Sequence, residues 1–254
     1  MEIAGRPVVH LDTGGDGPVL VLCHALALDH RMWAETARIL APRFRVIAPD
    51  LMGHGQDEVT VPKDIGELAD DVGMLLDARN VDRFHLAGIS MGGAVAQHLA
   101  IRAEDRVAGL ALMATMPRGG PVFEDRAVAA ETDGIAAQVA GTLARWFTAA
   151  EIAADLPGVR YARTQLRCTP VARWASAWRA LARHDATEGL RSLRCSVTCI
   201  GVSEDTSCPP AVIEALQASI PGAGLRMLQG ASHLFPLTRA QETAGLLADA
   251  FAQS

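Results

Sequence analysis

Ser90 lies in Gly88-Ile89-Ser90-Met91-Gly92, between the apolar run Phe84–Ala87 and the helix-patterned stretch Met91–Ile101. A strand that turns sharply into a helix leaves the central serine at the apex with its hydroxyl exposed. Glycines two residues to either side avoid the clash a β-carbon would make there. That context, more than the five-residue pattern, marks Ser90 as a nucleophile for acyl transfer; the plainer alternative is a tight turn with an incidental serine. A serine hydroxyl is a poor nucleophile near neutral pH. It needs a general base within hydrogen-bond reach and a carboxylate to orient that base. In this chain order both should follow the serine, each just beyond a strand.

His233 sits in Gln229-Gly230-Ala231-Ser232-His233-Leu234, after the strand-like Leu225–Leu228 and before the helical Thr238–Ala252. It is the expected general base, against the alternative of a solvated loop histidine. His85 falls inside a strand, His98 on the helix after Ser90, and His24 and His54 precede the serine; His10, His30 and His184 have no evident assignment. The loop after the strand Ser196–Gly201 reads Val202-Ser203-Glu204-Asp205-Thr206-Ser207-Cys208-Pro209. Asp205 is the favoured acid there, Glu204 its rival, and an ordinary turn residue the plainer reading. Acyl transfer also needs two N–H groups aimed at the developing oxyanion. The expected donors are Met91, directly after the nucleophile, and Leu26, in the loop His24-Ala25-Leu26-Ala27. Asp50 and His54 in Asp50-Leu51-Met52-Gly53-His54-Gly55 read as turn-stabilising. No metal-ligand spacing stands out, so no metal is expected, and this chemistry needs no cofactor.

The elements that must position these groups alternate. Pro7–Asp12, Pro18–Cys23, Phe44–Ala48, Phe84–Ala87 and Arg106–Thr115 read as strands, with helices over Met32–Leu40, Asp64–Arg79 and Met91–Ile101. In Asp64–Arg79, the apolar positions Ile65, Leu68, Ala69, Val72, Leu75 and Leu76 follow the helical period. Strands alternating with helices imply a mostly parallel sheet covered on both faces. From Met116 to Gly189 no clear strand appears, only helical stretches broken at Gly119-Gly120-Pro121, Pro157-Gly158 and Thr169-Pro170. Trp146, Trp174 and Trp178 fall in this stretch, which reads as a cap over a pocket or as a plain extra helical layer. Alternation resumes with Ser196–Gly201, the helix Pro210–Ser219 and Leu225–Leu228.

Composition narrows the class. The chain has 254 residues, 50% hydrophobic and 20% charged, enough for one sizeable α/β core and unlike a disordered chain. A net charge of −6 argues against a nucleic-acid surface. The five cysteines are odd in number and form no Cys-x-x-Cys, so they read as free thiols in a reducing compartment. Met1–His10 has neither a basic nor a long apolar region, and no run approaches membrane-spanning length. A cytoplasmic enzyme acting on a small molecule, without nucleic-acid or membrane partners, is the simplest expectation, and a homo-oligomer is left open.

The Ser90 motif, the Asp50–Gly55 turn, the Asp205–Pro209 loop and the His233 loop stand in the order of the α/β-hydrolase family, which the chain resembles over nearly its whole length. The resemblance implies a mostly parallel sheet of about eight strands. Residues 1–115 and 190–254 would form the core and 116–189 a helical cap. Some members carry the acid on the strand after the nucleophile helix, but here Ala111–Thr115 holds no carboxylate. Within the family the chain looks like the β-ketoadipate (3-oxoadipate) enol-lactone hydrolases. The supporting stretches are Leu28-Asp29-His30-Arg31-Met32-Trp33, Ala87–Gly93, Arg145-Trp146-Phe147-Thr148 and Ala182-Arg183-His184-Asp185. His24-Ala25-Leu26 departs from the Ser-Leu-Gly type more usual in that group.

The narrower resemblance implies a serine hydrolase that opens a carboxylated enol-lactone of aromatic catabolism through an acyl-enzyme. A buried substrate carboxylate would want a cationic partner, for which Arg126 and Arg145 are the candidates, with Trp146 as a wall of the pocket. A general carboxylesterase, a C–C bond hydrolase on another small substrate, or a non-catalytic ligand-binding protein on the same fold stay open.

Overall fold

The computed structural model describes residues 2–3, 6–57 and 60–252. Its strands in chain order are β1 Glu2–Ile3, β2 Arg6–Pro7, β3 His10–Asp12, β4 Val19–Cys23, β5 Arg45–Pro49, β6 Phe84–Ile89, β7 Val107–Met113, β8 Ser196–Val202 and β9 Gly224–Leu228. The helices are α1 Ala34–Leu40, α2 Ile65–Ala78, α3 Met91–Arg102, α4 Pro121–Asp133, α5 Ile135–Trp146, α6 Ala149–Ala153, α7 Pro157–Cys168, α8 Val171–Ala182, α9 Thr187–Leu190, α10 Pro210–Ser219 and α11 Ala240–Ala250.

The main sheet runs β3-β5-β4-β6-β7-β8-β9, with β3 antiparallel to β5 and every other pair parallel. It has seven strands among the described residues, not the eight that the resemblance implies. The expected first strand, Pro7–Asp12, is divided. Pro7 pairs back on Glu2 and Arg6 on Ile3 in a separate antiparallel pair, so only His10–Asp12 joins the sheet. Proline lacks the N–H a ladder requires, which suits Pro7 to such a break. The central strands are apolar because both faces are covered: β6 is buried at every position, and β4 and β5 at all but the first.

Helix α2 begins at Asp64, whose carboxylate accepts from Glu67 N at 2.9 Å and satisfies a first-turn donor. Its buried stripe (Ile65, Leu68, Val72, Leu75, Leu76) packs on α3, each large side chain contributing about 1.5–3 kcal/mol of burial. Among the described residues no helix is long and apolar enough to cross a membrane. All five cysteines are free.

The parallel step from β7 to β8 is bridged by α4 to α9, a wholly helical insertion. Helix α4 packs along α8, where Phe123 stacks on Trp178 at 5.3 Å and Trp174 meets Trp178 edge-on at 5.6 Å. The entry and exit of the insertion are tied to each other. Gly119 N donates to His184 O at 2.8 Å, Ala186 N donates to Pro117 O at 2.9 Å, and Arg118 and Asp185 form an antiparallel bridge.

Candidate active site

Strand β6 delivers Ser90 to the first position before α3 with φ 55° and ψ −119°. A non-glycine residue in this region costs of order 1–3 kcal/mol and persists only where its surroundings enforce it. Here they do: Ser90 N donates to Met113 O at 2.9 Å, and Thr115 Oγ1 donates to Ser90 O at 2.8 Å. A β-carbon on Gly88 would lie 2.1 Å from Gly92 O, and one on Gly92 would lie 2.2 Å from Cys23 O and 2.5 Å from His24 O. The start of α3 is therefore pressed against the end of β4 and the loop that carries Leu26. In that loop Ala27 takes φ 62°. Among the described residues the N–H groups of Leu26 and Met91 donate to no other group.

Asp205 and His233 come together from loops 28 positions apart. His233 Nδ1 lies 2.7 Å from Asp205 Oδ2, both side chains almost wholly buried. The other oxygen, Oδ1, accepts from Ser207 N and Cys208 N, each at 2.7 Å. All this fixes the carboxylate plane and leaves His233 Nε2 as the free ring nitrogen. Glu204, the rival acid, is exposed and turned towards Ser203 Oγ at 3.2 Å.

Ser90 and His233 line one cavity. Met91, Thr115 and Ser207 complete its floor, and Phe123, Arg126, Trp146 and Trp178 of the insertion cover it. The wall is mostly apolar with a few convergent polar groups, the usual character of a small-molecule site. The Arg126 guanidinium lies 4.6 Å above the Trp178 ring and 5.6 Å from that of Phe123. No carboxylate pairs with Arg126 or Arg145 among the described residues. Burial, and then the charge of Arg145, push the Arg126 pKa down to about 10.

The structure thus gathers Ser90, Met91, Arg126, Trp146 and His233 around one space. Leu26 and Arg145 are not among its lining residues. Arg145 Nη2 donates to Thr142 Oγ1 at 2.9 Å, and its Nε is buried without a partner. Sequence reasoning missed Thr115, Ser207, Phe123 and Trp178. Only Trp178 carried a signal, as one of the large aromatics concentrated in the insertion.

The histidines left unassigned by sequence have structural partners. His30 Nδ1 lies 2.7 Å from Asp50 Oδ1, an interaction that raises the His30 pKa. His184 is held between His98, at 3.1 Å, and Met116 O, at 3.2 Å. His10 bonds Arg79. Asp29, His30 and Asp50 bring three potential metal-ligand atoms within 4.8 Å of one another. The Asp29 carboxylate is already engaged by Arg31 at 2.5 and 2.9 Å and by Tyr161 Oη at 2.9 Å, which fits an ion-paired cluster better than a metal centre.

A family model described as the alpha/beta hydrolase fold matches residues 18–240. The chain is 33% identical over 202 residues to 3-oxoadipate enol-lactonase 1 of Acinetobacter baylyi, spanning 78% of this chain and 75% of that protein. The crystal structure of an enol-lactonase from Burkholderia xenovorans LB400 superposes with a TM-score of 0.92 at 31% identity, covering 99% of this chain and 98% of that one. A malate-bound thermophilic esterase from Thermogutta terrifontis superposes with a TM-score of 0.89 at 27% identity, covering 97% and 93%.

Proposed function

The chain belongs to the α/β-hydrolase family, and from that premise we propose that it hydrolyses a carboxylic ester or lactone through an acyl-enzyme on Ser90. One observation carries the reading: a buried Asp205–His233 bond of 2.7 Å at a cavity that Ser90 also lines. His233 Nε2 takes the Ser90 proton as the hydroxyl attacks the carbonyl carbon, and Asp205 holds the ring in the required tautomer and stabilises its cation. The Met91 and Leu26 N–H groups donate to the developing oxyanion. His233 then protonates the departing oxygen, which in a lactone stays tethered to the acyl chain. Water activated by the same nitrogen releases the acid.

The finer reading is an enol-lactonase like the relatives above, acting on a carboxylated lactone. Arg126 supports it, because a half-buried guanidinium with no acidic partner is suited to bind a substrate carboxylate. Trp146 packs against the acyl chain, and Arg145 adds positive charge from behind the wall. Steady-state hydrolysis of 3-oxoadipate enol-lactone beside a short p-nitrophenyl ester, with Ser90→Ala as control, tests both levels. The lactone is expected to be preferred by about a thousandfold in kcat/KM, roughly 4 kcal/mol of transition-state discrimination. Ester turnover with a silent lactone would remove the narrower reading, and silence on both would remove the broader one.

A further inference from the structure

The peptide that joins Ser90 to Met91 carries the Met91 N–H at one end and Ser90 O at the other. A trans peptide is planar, so its N–H and C=O point in opposite directions and can only turn together. Whatever fixes Ser90 O therefore fixes the aim of the Met91 N–H. Two groups donate to Ser90 O: Ala94 N at 3.1 Å and Thr115 Oγ1 at 2.8 Å. The first is the ordinary closing bond of a helical turn in α3. The second is a side chain from beyond the neighbouring strand.

Thr115 is itself held in place from several sides. Strands β6 and β7 pair Ile89 with Met113, so Ser90 and Ala114 leave the sheet at the same level. Ala114, like Ser90, takes a left-handed conformation, with φ 42°. Such non-glycine residues persist only where their surroundings enforce them, and they gather at active sites. Ala114 N donates to Ile200 O at 2.9 Å, and Cys208 Sγ donates to Thr115 O at 3.2 Å. Gly93 makes room for the side chain: a β-carbon there would lie 2.5 Å from Thr115 Cβ and 2.7 Å from Thr115 Oγ1. Thr115 is buried and lines the cavity beside Ser90 and Met91.

We propose that Thr115 is a positioning residue for the oxyanion donor: its hydroxyl locks the Ser90–Met91 peptide so that the Met91 N–H stays aimed at the developing charge. This role presupposes acyl transfer at Ser90. A donor fixed in advance needs no reorientation as the charge develops, which is what makes it effective. The bond to Ser90 O also polarises the N–H of the same amide and strengthens its donation. A substrate carbonyl carries little charge before attack, so the gain falls mainly on the tetrahedral intermediate and belongs in kcat.

Three variants test this: Thr115→Val, Thr115→Ser and Thr115→Ala, each checked for folding by thermal melting. Serine and alanine differ by the hydroxyl alone, so that pair decides even if the valine variant does not fold. Each is assayed for kcat and KM on a p-nitrophenyl ester and for inhibition by a short alkyl trifluoromethyl ketone. Ser90 Oγ bonds to the ketone carbon, its proton passes to His233, and the carbonyl π pair becomes an oxyanion with no leaving group. Thr115→Val and Thr115→Ala should lose roughly ten- to a hundredfold in kcat, less than the hundred- to thousandfold cost of deleting an oxyanion donor outright. KM should stay within about twofold, and ketone inhibition should weaken by about the same factor as kcat. Thr115→Ser should stay within about threefold of wild type. The pH profile of kcat/KM should keep its shape, because the Asp205–His233 bond is untouched.

Wild-type kcat in Thr115→Ala overturns the proposal. So does a loss in Thr115→Ser equal to that in Thr115→Ala, which would assign the effect to packing, and so does a loss of kcat with unchanged ketone inhibition. A wild-type protein that neither hydrolyses esters nor reacts with a fluorophosphonate would instead sink the acyl-transfer reading, and this role with it.

Discussion

Replacing Asp205 by asparagine changes one atom in a fully packed setting, and the surrounding hydrogen bonds dictate the outcome. Asp205 Oδ1 accepts two backbone N–H groups and Oδ2 faces His233 Nδ1, so the site offers the side chain only donors. Asparagine must put its oxygen towards Ser207 N and Cys208 N, because its amide nitrogen there would confront two donors at 2.7 Å. The amide NH2 then points at His233 Nδ1 and makes that nitrogen the acceptor. The ring proton moves to Nε2, and the nitrogen that should take the Ser90 proton is occupied. The expected loss is about ten-thousandfold in kcat, near 5.5 kcal/mol, the size seen when a triad histidine is locked in the wrong tautomer. Shape and burial are conserved, so the melting temperature should move little. The assay is kcat on a p-nitrophenyl ester at pH 7, with Glu204→Gln as a control that should behave as wild type because Glu204 is exposed. Asp205→Asn activity within about tenfold of wild type would refute the reasoning, as would a comparable loss in Glu204→Gln.

Two further outcomes are expected. Arg126→Gln should raise KM for a carboxylated ester by roughly ten- to a hundredfold, the worth of one charge-assisted hydrogen bond, and leave a neutral ester of similar size unchanged. Equal effects on the two esters would mean that Arg126 only packs on Trp178. Acid should destabilise the fold through His184, whose pKa falls from about 6.5 in the unfolded chain to about 4, chiefly by burial and then by the neighbouring His98. Between these values the unfolded chain binds more protons, so this stability is complete above pH 6.5 and is lost as pH falls towards 4, by about 2 kcal/mol at pH 5. Urea unfolding at pH 7.5 and pH 5 should show that loss, and His184→Gln should reduce it.

The sequence exposed what depends on local periodicity and on fixed backbone demands. Buried parallel strands are apolar runs, α2 follows a helical spacing behind an aspartate cap, and Gly88 and Gly92 have no room for a β-carbon. Hence Ser90 and the loops of Asp205 and His233 could be named before any geometry was known. What stayed hidden arises from contacts distant in sequence. Thr115 matters because its hydroxyl reaches Ser90 O across the sheet, and Ser207 because its loop closes the cavity. No periodicity encodes either. Arg126 and Arg145 looked equivalent as helix arginines. Only the packing of α4 on α8 sets Arg126 over Trp178 at the cavity, while Arg145 turns back on its own helix to Thr142. The edge of the sheet was misjudged because Pro7 belongs to a local pair instead of continuing into β3.

The tied entry and exit of the insertion make it modular. Gly119 bonded to His184, and Ala186 to Pro117, hold the two ends together, so from the sheet's side the whole helical segment behaves as a short closed loop. The entropy of closing a loop grows only logarithmically with its length, and here the closure is made at the neck whatever lies above it. Helices can be lengthened, shortened or exchanged beyond that neck at little thermodynamic cost to the strands below. The roof of the cavity, and with it the range of substrates admitted, can therefore drift independently of the serine beneath it. The limit on that drift is the turn at Arg145 and Trp146, whose carbonyls accept from Thr206 and Ser207 and from Leu234, contacts that any replacement would have to rebuild.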